Sequence, residues 1–148
     1  MAKILKPLRT VGKRIVFTNG CFDILHVGHV RYLNQARELG DLLVVGLNTD
    51  ESVRVLKGVS RPVNIAEDRA EVLTALRAVD YVVLFGERTA EDLISSLQPD
   101  IYVKGGDYAL ADLPEAKAVS SYGGKTLILP LVPDRSTTRV LERIRGNE

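Results

Sequence analysis

Along the chain, apolar positions alternate between two periods. Lys13 to Thr18 (KRIVFT) is a short β-rich run ending in Asn19-Gly20. Asp41 to Leu47 (DLLVVGL) is a continuous apolar run of strand length, as expected of a strand covered on both faces. Tyr81 to Phe85, Ile101 to Lys104 and Thr126 to Leu129 complete five predicted strands. Between them the period lengthens. From Gly28 to Leu39, apolar Val30, Leu33 and Ala36 recur at helical spacing until Gly40 stops them. A polar loop is predicted from Asn48 through Lys57, Gly58 and Arg61-Pro62. Asn64 then caps a helix with Glu67 at N3, and Val72, Leu73 and Leu76 follow. Thr89 caps the next helix, containing Leu93, Ile94 and Leu97, with Pro99 just past its end. Pro114 to Ser121 is a short helix, and a last one follows Ser136.

Strands alternating with helices predict right-handed crossovers and an α/β fold: a Rossmann-like, doubly wound, parallel five-stranded sheet with helices on both faces. The length, 148 residues, is about one domain's worth. The expectation is a single domain over 1–148, with residues 1–12 and the last few residues loosely held. Such sheets bind ligands beyond the carboxyl ends of their strands, where the winding direction reverses.

Composition narrows the function. Twenty Lys and Arg against 19 Asp and Glu leave a net charge of +1, so no global field points to nucleic acid or an anionic membrane. Any anion site must be local. The lone Cys21 forms no internal disulfide, and no Cys/His cluster has zinc spacing. The expected protein-held metal set is none. Without a signal-like h-region or a membrane-length apolar run, the expected compartment is the cytoplasm.

Two familiar phosphate loops are missing: there is no G-x-x-x-x-G-K-[ST], and no G-x-G-x-x-G after the first strand. In their place the strand runs into Thr18-Asn19-Gly20-Cys21-Phe22-Asp23-Ile24-Leu25-His26-Val27-Gly28-His29, with a helix beginning near the second histidine. Histidines three apart at a helix start lie on one side, and Gly28 between them leaves room for a ligand to approach the backbone. Two imidazole donors and the positive end of a helix make a triphosphate cradle. The bland alternatives are a structural pair capping the helix and a shared metal ion. No third ligand completes the latter.

TNGCFDILHVGH resembles the H-x-G-H signature of the nucleotidyltransferase superfamily that includes cytidylyltransferases and adenylyltransferases. RSTT at Arg135 to Thr138 is similar to its second, C-terminal signature. LNTDESV near Asn48, GVSRPVN around Arg61 to Asn64, VDYVV at Val79 to Val83 and PDIYVKGGDY at Pro99 to Tyr108 extend the likeness over most of the chain. Within the superfamily the set is most similar to D-glycero-β-D-manno-heptose 1-phosphate nucleotidyltransferase domains.

The resemblance implies transfer of a nucleoside monophosphate from ATP or CTP to a sugar 1-phosphate, with release of pyrophosphate, as a step toward an activated heptose. His26 and His29 are then the catalytic donors to triphosphate oxygens. Thr18, Asn19, Gly20, Cys21 and Phe22 line the nucleotide site together with Gly28, and Ser136, Thr137 and Thr138 bind the β- and γ-phosphates. Arg135 adds a phosphate contact, although Pro133-Asp134-Arg135 departs from the Glu-Gly pair common before this signature. Lys57, with a catalytic role as well, and Arg61 and Lys104 are the substrate-phosphate candidates, against a reading of Lys57 and Arg61 as solvated surface charge. Asp107 accepts from base, ribose or sugar hydroxyls, or belongs to a plain Gly-Gly turn. Asp23 hydrogen-bonds its own loop rather than a metal. Tyr32, Tyr81 and Tyr102 are assigned to packing.

Mg²⁺, the expected cofactor, is held mainly by the nucleotide phosphates. The implied partners are a nucleoside triphosphate, a sugar phosphate and a second copy in a homodimer, with no nucleic acid and no membrane. Members often share a chain with a sugar kinase, so a separate kinase is expected to supply the substrate here. Rival readings are a glycerol 3-phosphate or phosphoethanolamine cytidylyltransferase, a Cys21 nucleophile, and a non-catalytic nucleotide-binding regulator.

Overall fold

The computed structural model describes residues 1–133 and 135–146. Its order is α1 (Ala2–Thr10), β1 (Ile15–Gly20), α2 (Val27–Arg37), β2 (Leu42–Asn48), α3 (Asp50–Lys57), α4 (Ala66–Thr74), β3 (Tyr81–Phe85), α5 (Glu91–Leu97), β4 (Ile101–Gly105), α6 (Pro114–Ser121), β5 (Lys125–Leu129) and α7 (Thr137–Ile144). The five strands are parallel in the order β3-β2-β1-β4-β5. Winding proceeds outward from β1 through β2 to β3, then restarts on the other side with β4. The switch point therefore lies between β1 and β4, and a crevice opens at their carboxyl ends.

The pleat sends successive side chains to opposite faces, and this splits the core in two. Val16, Leu43, Val45 and Val103 pack under Leu33 and Ala36 of α2 and Leu73 of α4. Ile15, Phe17, Val44 and Tyr102 pack against Leu5 of α1, Ile94 and Leu97 of α5 and Val119 of α6. Both faces are thus covered, which is why β2 reads as an unbroken apolar run.

The structure departs from the sequence reading in four places. The stretch read as polar loop contains α3, whose Thr49 hydroxyl accepts from Ser52 N–H and whose first turn carries Asp50 and Glu51. Only Ser52 and Val53 of α3 are buried, so its apolar periodicity is too brief to register. Asn64 does not cap α4; Ile65 occupies that position, and the Asn64 amide instead donates to the Asp23 carbonyl at 2.8 Å. Thr89 does not cap α5, its hydroxyl bonding the Glu91 carboxylate while Ala90 is the N-cap. Finally, the start of the chain is docked. Leu5 is fully buried, and the Arg9 guanidinium donates to the carbonyls of Leu97 and Gln98 at the end of α5.

Candidate active site

The segment joining β1 to α2 builds the floor of the site. His26, in extended conformation, is the N-cap of α2, and its Nδ1 accepts from the Gly28 N–H at 3.1 Å. A neutral ring accepting at Nδ1 carries its proton on Nε2, so this bond selects the tautomer. One turn on, the His29 ring stacks on that of His26 with centroids 3.9 Å apart, and Phe22 packs against it at 5.3 Å. Gly28 permits the stack: a Cβ there would lie 2.8 Å from His26 Cε1. On the side where a Cβ would stand, Gly28 is packed by the His26 ring and Arg135 Cβ, while the residue still lines the cleft described below.

Burial, reinforced by His26, lowers the His29 pKa to about 4, and burial followed by the Arg135 charge lowers that of His26. Both rings are therefore neutral N–H donors at neutral pH. His29 Nδ1 is buried without a hydrogen-bond partner among the described residues, so packing alone positions this ring. Because the folded chain holds His29 neutral to about pH 4 while the unfolded chain protonates it near 6.5, its stabilising contribution is complete above pH 6.5 and is lost on acidification toward pH 4. The loss reaches about 3 kcal/mol. Urea unfolding of the wild type is expected to weaken more steeply between pH 6.5 and 4 than that of His29→Ala; parallel curves would contradict this.

Two buried ionic groups hold the surrounding loops. Asp23 accepts from the Val63 and Asn64 N–H groups at 2.8 to 2.9 Å and from Arg61 Nε at 2.5 Å. Burial works to raise its pKa, but the Asn64 and Val63 amides and Arg61 together outweigh it and hold the carboxyl below the usual range. Arg69, 2% exposed, donates to the Cys21 carbonyl at 2.6 Å, the Asn64 carbonyl at 2.9 Å and Asp50 at 2.7 Å. It ties the β1–α2 segment, the 61–64 turn and the start of α3 into one frame. The sequence gives no sign of this role, because Arg69 reads as an ordinary charge on a helix and its partners lie 5, 19 and 48 residues away.

Above this frame lies a cleft of about 560 Å³. Asn19, Gly20, Cys21, Phe22, His26, Gly28 and His29 line it from the β1 side, Lys57 and Arg61 from the α3 side, Lys104 from the end of β4, and Arg135, Ser136, Thr137 and Thr138 from the start of α7. Ser136 caps α7 by accepting from the Arg139 N–H, and the Thr137 hydroxyl donates to the Ile24 carbonyl at 3.1 Å. That bond brings a second helix N-terminus beside the first, so two positive helix ends address the same space. Asp134, in the loop before them, lies outside the described residues.

Two expected contributors stand apart. Thr18 is fully buried, its hydroxyl 2.7 Å from that of Tyr32, and Asp107 is exposed without lining the cleft. Arg61 is no free surface charge, being held by Asp23 with its side chain 14% exposed. Tyr32 and Tyr102 do more than pack: the first donates to the Val103 carbonyl and the second to Asn19 Oδ1 at 2.8 Å. Burial raises the Cys21 thiol pKa, only partly offset by Lys57, Arg69 and Arg61. A thiol so held is not an activated nucleophile. Tyr108, at the end of the PDIYVKGGDY stretch, also lines the cleft, as do Arg88 and Glu115, which no local signal in the sequence marks.

Fold and site together define a nucleotidyltransferase. A cytidylyltransferase-like family model matches residues 17–143, and the chain belongs to this family. It is 55% identical over 141 residues to the bifunctional protein HldE of Syntrophotalea carbinolica, covering 95% of this chain and 29% of that protein. It is 54% identical over 145 residues to HldE of Geotalea uraniireducens, covering 98% of this chain and 30% of the relative. The chain thus spans about 30% of the length of the curated relatives it matches. The crystal structure of a lipopolysaccharide core biosynthesis protein from Thermoplasma volcanium is similar at TM-score 0.68 and 28% identity, over 82% of this chain and 98% of that one.

Nucleotidyltransferases of this kind generally use a divalent metal ion. Among the described residues no three His, Cys, Asp or Glu side chains gather as a metal-ligating group, and the Asp23 oxygens are taken by the 61–64 turn. The donor set suits an ion carried by phosphate oxygens, with N–H groups and cations gripping those phosphates. Among the described residues no helix is long and apolar enough to cross a membrane.

Proposed function

We propose that this protein transfers a nucleoside monophosphate from ATP or CTP to D-glycero-β-D-manno-heptose 1-phosphate, releasing pyrophosphate. The observation that carries this reading is the stacked, neutral His26–His29 pair at the start of α2, sharing one cleft with the Ser136-Thr137-Thr138 start of α7. The sugar assignment is supported by the KGGDY and GVSRPVN stretches, by the identity to HldE and by the likeness to a lipopolysaccharide core biosynthesis protein.

An oxygen of the acceptor phosphate attacks the α-phosphorus in line, forming the new P–O bond as the α–β bridging bond breaks and pyrophosphate takes the electron pair. That oxygen is already ionised, so no general base is required and the chemistry rests on positioning and charge neutralisation. His26 and His29 donate N–H bonds to triphosphate oxygens, bonds that strengthen as charge builds in the transition state. The hydroxyls and amides at the start of α7 hold the β- and γ-phosphates, with Arg135 beside them. Lys57, Arg61 and Lys104 receive the acceptor phosphate, Arg61 being pre-positioned by Asp23. Mg²⁺ carried on the phosphate oxygens supplies further charge neutralisation. Asn19, Gly20, Cys21 and Phe22 line the nucleotide's approach through backbone groups.

A sugar kinase must supply the acceptor. The working form in this reading is a cytoplasmic homodimer, with residues 1–148 acting as one domain. The test incubates the protein with Mg²⁺, each nucleoside triphosphate in turn, and heptose 1-phosphate or glycerol 3-phosphate, and measures pyrophosphate. Release requiring heptose 1-phosphate is expected; release with glycerol 3-phosphate alone would overturn the sugar assignment.

A further inference from the structure

We propose that Glu115, on the first turn of α6, is the residue that reads the hydroxyl groups of the acceptor sugar. This rests on the sugar-phosphate reading above. Glu115 lines the catalytic cleft, yet the residue is only 5% exposed. No Lys, Arg or His among the described residues forms an ion pair with it. Among the described residues its one hydrogen bond is long: Oε1 accepts from the Ala90 N–H at 3.4 Å. The other oxygen takes no bond from the described residues.

A largely buried carboxylate with a single long hydrogen bond and an oxygen still open to the cleft has acceptor capacity left for a donor that enters it. Its sign selects which donor. In the functional reading above the phosphates are held where Lys57, Arg61, Arg135 and the histidines line the cleft, and a carboxylate repels phosphate, so Glu115 suits the uncharged part of a ligand. Sugar hydroxyls are uncharged and can both donate and accept. A matching donor shares the cleft: the Tyr102 hydroxyl occupies Asn19 Oδ1, and the Asn19 amide nitrogen has no partner among the described residues. Carboxylate and amide together offer the acceptor–donor combination that a polyol chain satisfies. A mere helix-start carboxylate would face solvent at the end of α6, whereas this one is turned inward toward Ala90 at the start of α5.

The test is steady-state kinetics of E115Q and E115D with D-glycero-β-D-manno-heptose 1-phosphate and the preferred nucleoside triphosphate. E115Q keeps the side chain's size and an acceptor for Ala90 but loses the charge. Its KM for the sugar phosphate is expected to rise by about 10- to 100-fold, with kcat less affected and the KM for nucleotide and the thermal midpoint unchanged. E115D, which keeps the charge one carbon short, is expected to fall between the two, and it serves as the test should E115Q not fold. An active variant with normal KM for the sugar phosphate would overturn the inference, as would a rise in the nucleotide KM alone, which would assign Glu115 to the ribose. A lowered midpoint with normal kinetics would make it a strut between α5 and α6. Wild-type inactivity toward the sugar phosphate would instead overturn the functional reading, and this inference with it.

Discussion

Replacing His29 with alanine is expected to slow pyrophosphate release by about 100- to 1000-fold at pH 7, the usual cost of removing one preorganised donor to a charged transition state. The fold should survive, because His29 makes no hydrogen bond to the described protein and the core beneath it is built from Val16, Leu33, Leu43 and Val103. Circular dichroism and a single-turnover assay separate the two effects. A folded variant with near-normal turnover would remove the histidine from the mechanism. His26→Ala should be comparably slow and also less stable, since it deletes the Nδ1 cap on Gly28 as well as the N–H donor.

Asp23→Ala is expected to cost about 3–5 kcal/mol of stability, as breaking one partner of a buried ion pair generally does. The loss arises from what remains: Arg61 without its counter-ion and the Val63 and Asn64 N–H groups without an acceptor, in a turn that Asp23 and Arg69 together hold against the β1–α2 segment. Urea denaturation measures the cost directly, and a change below about 1 kcal/mol would mean that Asp23 matters less than its burial indicates. Turnover should fall too, because Arg61 would no longer be held at the cleft.

Much of the site was legible because it is local in sequence. The β1–α2 segment carries both histidines, their glycine and the turn residues within twelve positions, and Ser136 to Thr138 form a second compact motif. What escaped had its partners far away. Arg69 reaches Cys21 over 48 positions, Tyr102 reaches Asn19 over 83, and Glu115 meets the amide of Ala90 from the next helix. The α3 helix escaped for a different reason, with eight residues and two buried positions giving periodicity little to act on.

The amino-acid order by itself determined the alternation of strands and helices, the parallel sheet covered on both faces, and the motif that puts two imidazoles at a helix start, because each depends on spacing within a few residues. Only the tertiary structure decided that the missing Gly28 side chain makes room for the His26 ring, that both histidines are neutral, that Arg61 answers to Asp23, and that Thr18 and Asp107 stand outside the cleft. Those outcomes depend on burial and on contacts between distant segments, and both exist only once the chain has packed.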